Sequence, residues 1–336
     1  METIAESKIP ALTQSHSAEL LTVVVSQRTM ESSDIVRIDL YPGSEDRVLP
    51  SFKPGAHIDI QLPNGILRSY SLIGPGADPS RYSIAVKKDG RSRGGSSFVH
   101  EKIQIGDQLL ISPPKNYFEL DQDASGQLFI AGGIGITPFI SMISATNMAN
   151  KPWRLLFATR QEQDIPFLSS LRAQAGTAHD RLQLFISEGK NARRLDIAES
   201  INQLPPAWSV YCCGPAGMLQ AFEHEARHLP PERVRIERFA AQTTSAQDDG
   251  FIVELARTGK QIYVQSGQSI LDALEEAGIS VLWGCREGLC GSCEVKVISG
   301  SPCHLDHVLT IEERQKNATL MVCCSRSYGE RLVLDL

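Results

Sequence analysis

At 336 residues, with 42% apolar and 21% charged side chains, the chain has the length and core material for two or three ordinary globular domains. A net charge of −6, with no runs of Lys or Arg, excludes nucleic acid as a partner class, and no apolar stretch approaches the roughly 18 residues that span a bilayer. Residues 1–17 lack the apolar core of a secretory signal, so the eight cysteines are expected as metal ligands or free thiols of a cytoplasmic protein.

In chain order, residues 20–25, 35–40, 57–62 and 83–86 predict short strands, because β-branched runs alternate with Gly, Pro, Asn and Asp clusters. Strands without intervening helices predict a small antiparallel barrel. Within it, Arg68, Tyr70 and Leu72 alternate with Ser69 and Ser71 along one strand. Arginine offers a planar fork to a phosphate, and tyrosine a flat face to an aromatic ring. Further on, Gly95, Ser96 and Ser97 precede a predicted helix over 97–102, whose exposed N–H groups could meet an anion. Each piece alone reads better as an exposed strand or a flexible glycine loop.

A second pattern begins at residues 127–131, an apolar strand running into Gly132-Gly133-Ile134-Gly135-Ile136-Thr137-Pro138 and a helix to about 149. Gly133 and Gly135 let the backbone approach a pyrophosphate, Thr137 offers a hydroxyl, and Pro138 suits a first helical turn. The spacing is not G-x-G-x-x-G. Strands at 153–158, 182–186 and 209–212, with helices between, predict a doubly wound parallel sheet whose ligands lie beyond the strands' carboxyl ends. Two such ends carry chemistry. Cys213-Gly214-Pro215 closes the last of these strands, and Ser187 is followed by Glu188, Lys190, Arg193 and Arg194. A basic loop here reads either as a site for a ribose 2′-phosphate or as a solvated surface.

After a polar, aperiodic stretch at 240–250, expected as a linker, comes Cys285-x4-Cys290-x2-Cys293, then 29 residues, then Cys323. That is plant-type spacing for four thiolates around a [2Fe–2S] cluster. A dithiol redox pair would leave Cys285 and Cys323 unexplained. A zinc ribbon would need a second C-x-x-C. Gly288 and Gly291 fall where a tight loop needs unusual backbone angles. Cys303, His304 and His307 lack the spacing of a second metal site and read as ordinary surface residues.

Taken together, RSYSL, GRSRGGSSF, AGGIGITP, YCCGP, ERF, CREGLCGSC and the closing MVCCSR resemble the phthalate dioxygenase reductase family over nearly the whole chain. The resemblance implies a multi-domain fold: an antiparallel β-barrel flavin domain (1–120), an α/β doubly wound nicotinamide domain (121–239), the linker, and an α+β, β-grasp ferredoxin domain (251–336). It implies that Arg68, Ser69, Tyr70, Ser71, Gly95, Ser96 and Ser97 contact flavin. Gly133, Gly135, Thr137, Ser187, Lys190, Arg193, Cys213, Gly214 and Pro215 would contact NAD(P)H, with Cys213 and Phe239 where nicotinamide meets flavin. Cys285, Cys290, Cys293 and Cys323, rather than Cys324, would hold the cluster. FMN is expected, although the same barrel also carries FAD. Ser187 and the basic group lead to an expectation of NADPH over NADH. The implied role is that of a monomeric reductase feeding a Rieske oxygenase, with no side chain acting as acid, base or nucleophile. The alternative is a passive ferredoxin-like carrier without flavin.

Overall fold

The computed structural model describes residues 20–336 except 45, 77–79, 91–93, 179, 190–191 and 240–249. Lys190 and nearly all of the expected linker therefore lie outside the described residues.

The first sheet is built from β1 (Leu21–Met30), β2 (Ile35–Pro42), β3 (His57–Gln61), β4 (Leu67–Ser71), β5 (Tyr82–Lys87) and β6 (Gln108–Ile111), with α1 (Gly95–Glu101) before β6. All its pairings are antiparallel, in the order β4-β3-β6-β1-β2-β5. A further bridge, Ile73 to Ser83, joins the two ends. Alternation places Val23 and Val25 inside with Ile58, Ile60 and Leu72, while the intervening side chains face outward or into neighbouring elements. The expected strands are present with ends moved by a few residues. β6 was not read from the sequence, because Gln108-Leu-Leu-Ile is short and sits behind a Gly-Asp turn. The helix α1 begins two residues earlier than predicted, since Gly94 takes the left-handed conformation that starts it.

The second sheet has the order β11-β10-β7-β8-β9, all parallel. Its strands are β7 (Gly126–Gly132), β8 (Trp153–Thr159), β9 (Leu182–Ile186), β10 (Trp208–Cys213) and β11 (Val234–Glu237). Between them run α2 (Thr137–Met148), α3 (Leu168–Ala175), α4 (Ile197–Asn202) and α5 (Ala216–Ala226). Every residue of β7 and β10 is buried, as befits central strands covered on both faces. The order reverses between β7 and β10, so a crevice opens at their carboxyl ends.

The last unit contains β12 (Phe251–Leu255), β13 (Gln261–Val264), α6 (Ile270–Glu276), β14 (Glu294–Ser299), β15 (Pro302–Cys303), α7 (Ile311–Lys316), β16 (Thr319–Met321), β17 (Arg326–Ser327) and β18 (Arg331–Leu334). Its five-stranded mixed sheet, β13-β12-β18-β14-β16, packs Val253, Leu332 and Leu334 against Ile270, Leu271 and Leu274 of α6. Ser269 caps α6 by accepting from Asp272 N–H. The expected three-part architecture is met. No described helix is long and apolar enough to cross a membrane.

Candidate functional site

One cleft of roughly 680 Å³ is walled by all three units. From the barrel come His57, Arg68, Ser69, Tyr70, Ser71 and Ser96. The parallel sheet contributes Ile134, Thr137, Arg160 and residues 236–239, and the last unit contributes Cys285, Glu287, Leu289 and His307.

On the barrel side, β4 is an edge strand, so side chains from both of its faces reach the cleft. The Arg68 guanidinium donates to the neighbouring Leu67 carbonyl at 2.8 Å, and its stem lies across the bare α-carbon of Gly95. A Cβ there would come 2.7 Å from Arg68 Nε. Gly95 thus makes room for the arginine. Ser96 lines the cleft and its hydroxyl accepts from Asp89 N–H at 3.1 Å. Ser97, one residue further on, is not part of the wall. Burial pushes the Tyr70 hydroxyl well above its usual range, so the ring is a neutral plate.

Four buried polar atoms of residues lining this cleft find no hydrogen-bond partner among the described residues: His57 Nε2, Ser71 Oγ, Glu237 Oε2 and His307 Nε2. Buried polar atoms are ordinarily satisfied, so this wall fits a ligand rich in donors and acceptors. Burial lowers the His57 and His307 rings to about 4, leaving both neutral at pH 7. The Glu237 carboxyl is pushed up to about 8 by its burial, and it therefore holds a proton at neutral pH. None of these three was singled out from the sequence as a site residue. His307, read there as an ordinary surface residue, lines the cleft, and Cys303 is buried.

At the carboxyl ends of the parallel strands, a 3₁₀ turn over Gly133–Ile136 leads into α2. A Cβ on Gly135 would come 2.3 Å from the Cys213 carbonyl oxygen, so the Gly-rich turn and the Cys213-Gly214-Pro215 turn pack backbone to backbone. Thr137 lines the cleft. Cys213 does not: its thiol is wholly buried behind the wall, in register with Glu237 of β11. Phe239, which directly follows Arg238, does line the cleft and is 40% exposed.

Ser187 directly follows β9 and its hydroxyl donates to the Thr159 carbonyl at 3.3 Å. The Arg193 N–H donates to the Ile186 carbonyl at 2.7 Å, beside Ser187, but its side chain turns to Phe185. That guanidinium lies 4.6 Å over the Phe185 ring and, with Arg194, Asp196 and Glu199, lines a separate pocket. Arg160 lines the main cleft together with Arg68, Lys87, Lys88 and Arg238, and its carbonyl accepts from Glu188 N–H at 3.0 Å. Its signal in the sequence was weak, one arginine after a strand.

In the cluster loop Cys285 is hydrogen-bonded to Cys290 and Cys293 to Cys323, with the Cys324 thiol also bonded to Cys323. All four expected ligands are buried. Among the described residues no three His, Cys, Asp or Glu side chains close round a single ion position. Hydrogen bonding within each pair lowers one member, Cys290 to about 6 and Cys323 to about 4, while its partner rises. Backbone N–H groups of Glu287 and Leu289 reach Cys285 Sγ at 3.3 and 3.4 Å, and that of Cys285 reaches Cys290 Sγ at 3.3 Å. Such donors favour thiolates, so the donor set fits a cluster. Gly288 and Gly291 have φ of 68° and 74°, and a Cβ at Gly288 would come 2.5 Å from Cys324 Sγ.

Comparison with known proteins agrees with this layout. A 2Fe-2S iron-sulfur cluster binding domain model matches residues 253–327, and an oxidoreductase NAD-binding domain model matches residues 129–224. The solved structure of phthalate dioxygenase reductase, described as modular for electron transfer from pyridine nucleotides to [2Fe-2S], superposes with a TM-score of 0.69. It shares 32% identity over 94% of this chain and 98% of its own. The chain belongs to the phthalate dioxygenase reductase family. A tetrachlorobenzoquinone reductase of Sphingobium chlorophenolicum is 42% identical over 318 residues, 94% of this chain and 98% of that one. The phenoxybenzoate dioxygenase subunit beta of Ectopseudomonas oleovorans is 41% identical over 305 residues, 91% and 94% of the two chains. Like other members of the phthalate dioxygenase reductase family, this chain is an oxidoreductase with nicotinamide- and [2Fe–2S]-binding domains, and the shared fold implies a flavin.

Proposed function

We propose that the chain is the reductase component of a Rieske-type oxygenase system, taking electrons from NADPH through FMN and a [2Fe–2S] cluster to the oxygenase. The observation that carries this reading is the single cleft whose walls come from the barrel, the parallel sheet and the cluster loop together. A passive carrier would have no use for it. The oxygenase partner is supported by the relative that is a dioxygenase subunit.

A bound flavin supplies the conversion between a two-electron hydride donor and one-electron carriers. The chain's own residues bind and orient. Arg68 takes the flavin phosphate as a charge-assisted fork, with Ser96 and Ser97 on the adjacent helix. Tyr70 covers the ring, and Ser69, Ser71 and His57 meet its polar edge. Phe239 stands on the opposite wall until nicotinamide displaces it. The Gly133–Thr137 turn and Gly214-Pro215 receive the dinucleotide, and Cys213 backs the wall behind Glu237. The protonated Glu237 carboxyl offers a hydrogen bond there without placing a negative charge beside the hydride donor. Cys285, Cys290, Cys293 and Cys323 hold the cluster beside the same cleft. NADPH is favoured by Ser187, where NAD-selective sites carry a carboxylate, and by Arg160, which takes the place expected for Arg193.

The test is to purify the protein and assay iron, sulfide and flavin. About two irons, two sulfides and one flavin per chain are expected, with FMN released by heat and identified by chromatography. Protein loaded with cluster but lacking flavin, after reconstitution with either FMN or FAD, would leave the carrier reading standing.

A further inference from the structure

Lys115 links the two redox units in a way that the cofactor sites do not require. It follows β6, and its backbone is pinned to β3 by paired hydrogen bonds with His57 of 2.8 and 2.9 Å. Two residues along β3, Asp59 receives the Lys115 ammonium at 2.7 Å. The same ammonium donates to the carbonyl oxygen of Cys290, 175 residues away in sequence, at 3.3 Å. Asp59 is itself fixed, because its other oxygen accepts from Ser69 Oγ and its N–H donates to Ser112 Oγ. The Asp59 side chain is 4% exposed and that of Lys115 28%. A continuous polar chain thus runs from β4 through Asp59 and Lys115 to the cluster loop. Small residues seat the loop alongside it. A Cβ at Gly291 would come 3.0 Å from the Tyr117 hydroxyl, and one at Gly284 would come 2.5 Å from Leu67 Cδ2.

A half-buried cation on a buried carboxylate needs a reason, since an apolar pair of similar volume would hold two surfaces together at less electrostatic cost. A centre that gains negative charge on reduction supplies one. A fixed positive charge a few atoms from a cluster thiolate favours the reduced state, and more so where water is excluded. We propose that Lys115, aimed by Asp59, is a positioning residue for electron transfer between flavin and cluster: it clamps the Cys290 carbonyl against the barrel and raises the cluster potential. This rests on the cofactor reading above. The step it serves moves one electron, with no bond made or broken, and Lys115 keeps its proton throughout.

The experiment uses full-length holoprotein carrying Lys115→Met, Lys115→Gln or Lys115→Arg. The cluster midpoint is measured by redox titration with EPR detection, and flavin-to-cluster transfer by stopped flow. For Lys115→Met the equilibrium for accepting an electron should fall by about tenfold, about 59 mV for a one-electron couple. Flavin-to-cluster transfer should slow by at least as much, while reduction of the flavin by NADPH stays at the wild-type rate. Lys115→Gln keeps a donor for the Cys290 carbonyl but no charge, so it should show the potential shift too, and it serves if the methionine variant fails to fold. Lys115→Arg should hold the wild-type potential. A wild-type midpoint in the uncharged variants, or a shift in Lys115→Arg as large as theirs, would overturn the proposal. A wild type without flavin or iron would overturn the cofactor reading as well, so the two failures are distinct.

Discussion

Arg68 and Glu237 show how single side chains set the chemistry of the cleft wall. Arg68 has a stem held against Gly95 and a guanidinium at the cleft. Arg68→Ala should weaken flavin retention by about 1.5–3 kcal/mol, the range of one charge-assisted hydrogen bond. Titration of the apoprotein with FMN checks this, and unchanged affinity would remove Arg68 from the site. Glu237 makes a pH prediction. Its carboxyl rises from 4.5 to about 8 on folding, so the folded chain binds that proton more tightly than the unfolded one. The stabilisation linked to it is complete below about 4.5 and is lost as pH rises towards 8. The neutral rings of His57 and His307 act oppositely, since their stabilisation is lost as pH falls from 6.5 towards about 4. Between pH 6.5 and 8 the glutamate dominates among these three. Denaturant unfolding of wild type and Glu237→Gln isolates this carboxyl from the thiols that titrate in the same window: relative to the variant, wild type should lose stability as pH rises from 6.5 to 8. A wild type that holds or gains stability relative to Glu237→Gln there would contradict the buried, protonated carboxyl.

At the scale of elements, the cluster loop and the end of β9 illustrate what the sequence conveys and what it withholds. Cysteine spacing specified the loop because a cluster constrains covalent neighbours directly, and the thiols do converge as two pairs. Cys290→Ser should lose the cluster by iron and sulfide analysis, yet keep flavin reduction. Cys324→Ser should retain the cluster, since Cys323 pairs with Cys293, while Cys324 meets only Cys323 among the four expected ligands and also reaches the Met321 carbonyl at 3.8 Å. The strands of the barrel and the parallel sheet were legible from alternation and apolar runs. β6 and β11 were missed because four-residue strands carry too little periodicity. Sequence proximity to Ser187 does not say where a loop side chain lands: the Arg193 backbone reaches the end of β9, while its guanidinium lies over Phe185. His57, Arg160, Glu237 and His307 were invisible for a related reason: each is unremarkable in its own segment and becomes a site residue where three units meet. Ser187→Asp should reverse cofactor preference from NADPH to NADH, read as Kd in stopped-flow flavin reduction. A wild type preferring NADH by tenfold or more, about 1.4 kcal/mol, would refute the role given to Ser187 and Arg160.

For the whole molecule, the consequence of the architecture is proximity. The barrel presents β4, the parallel sheet presents its carboxyl edge with Phe239, and the last unit presents Cys285 and Leu289, all to one cleft. Electron transfer from flavin to cluster should therefore be intramolecular. Anaerobic stopped flow of the loaded protein against excess NADPH tests this most directly. Flavin absorbance should bleach first, and cluster absorbance should follow in a second phase whose rate is the same at every protein concentration. A second phase whose rate rises in proportion to protein concentration would mean that electrons pass between molecules, and would contradict the single cleft as the path.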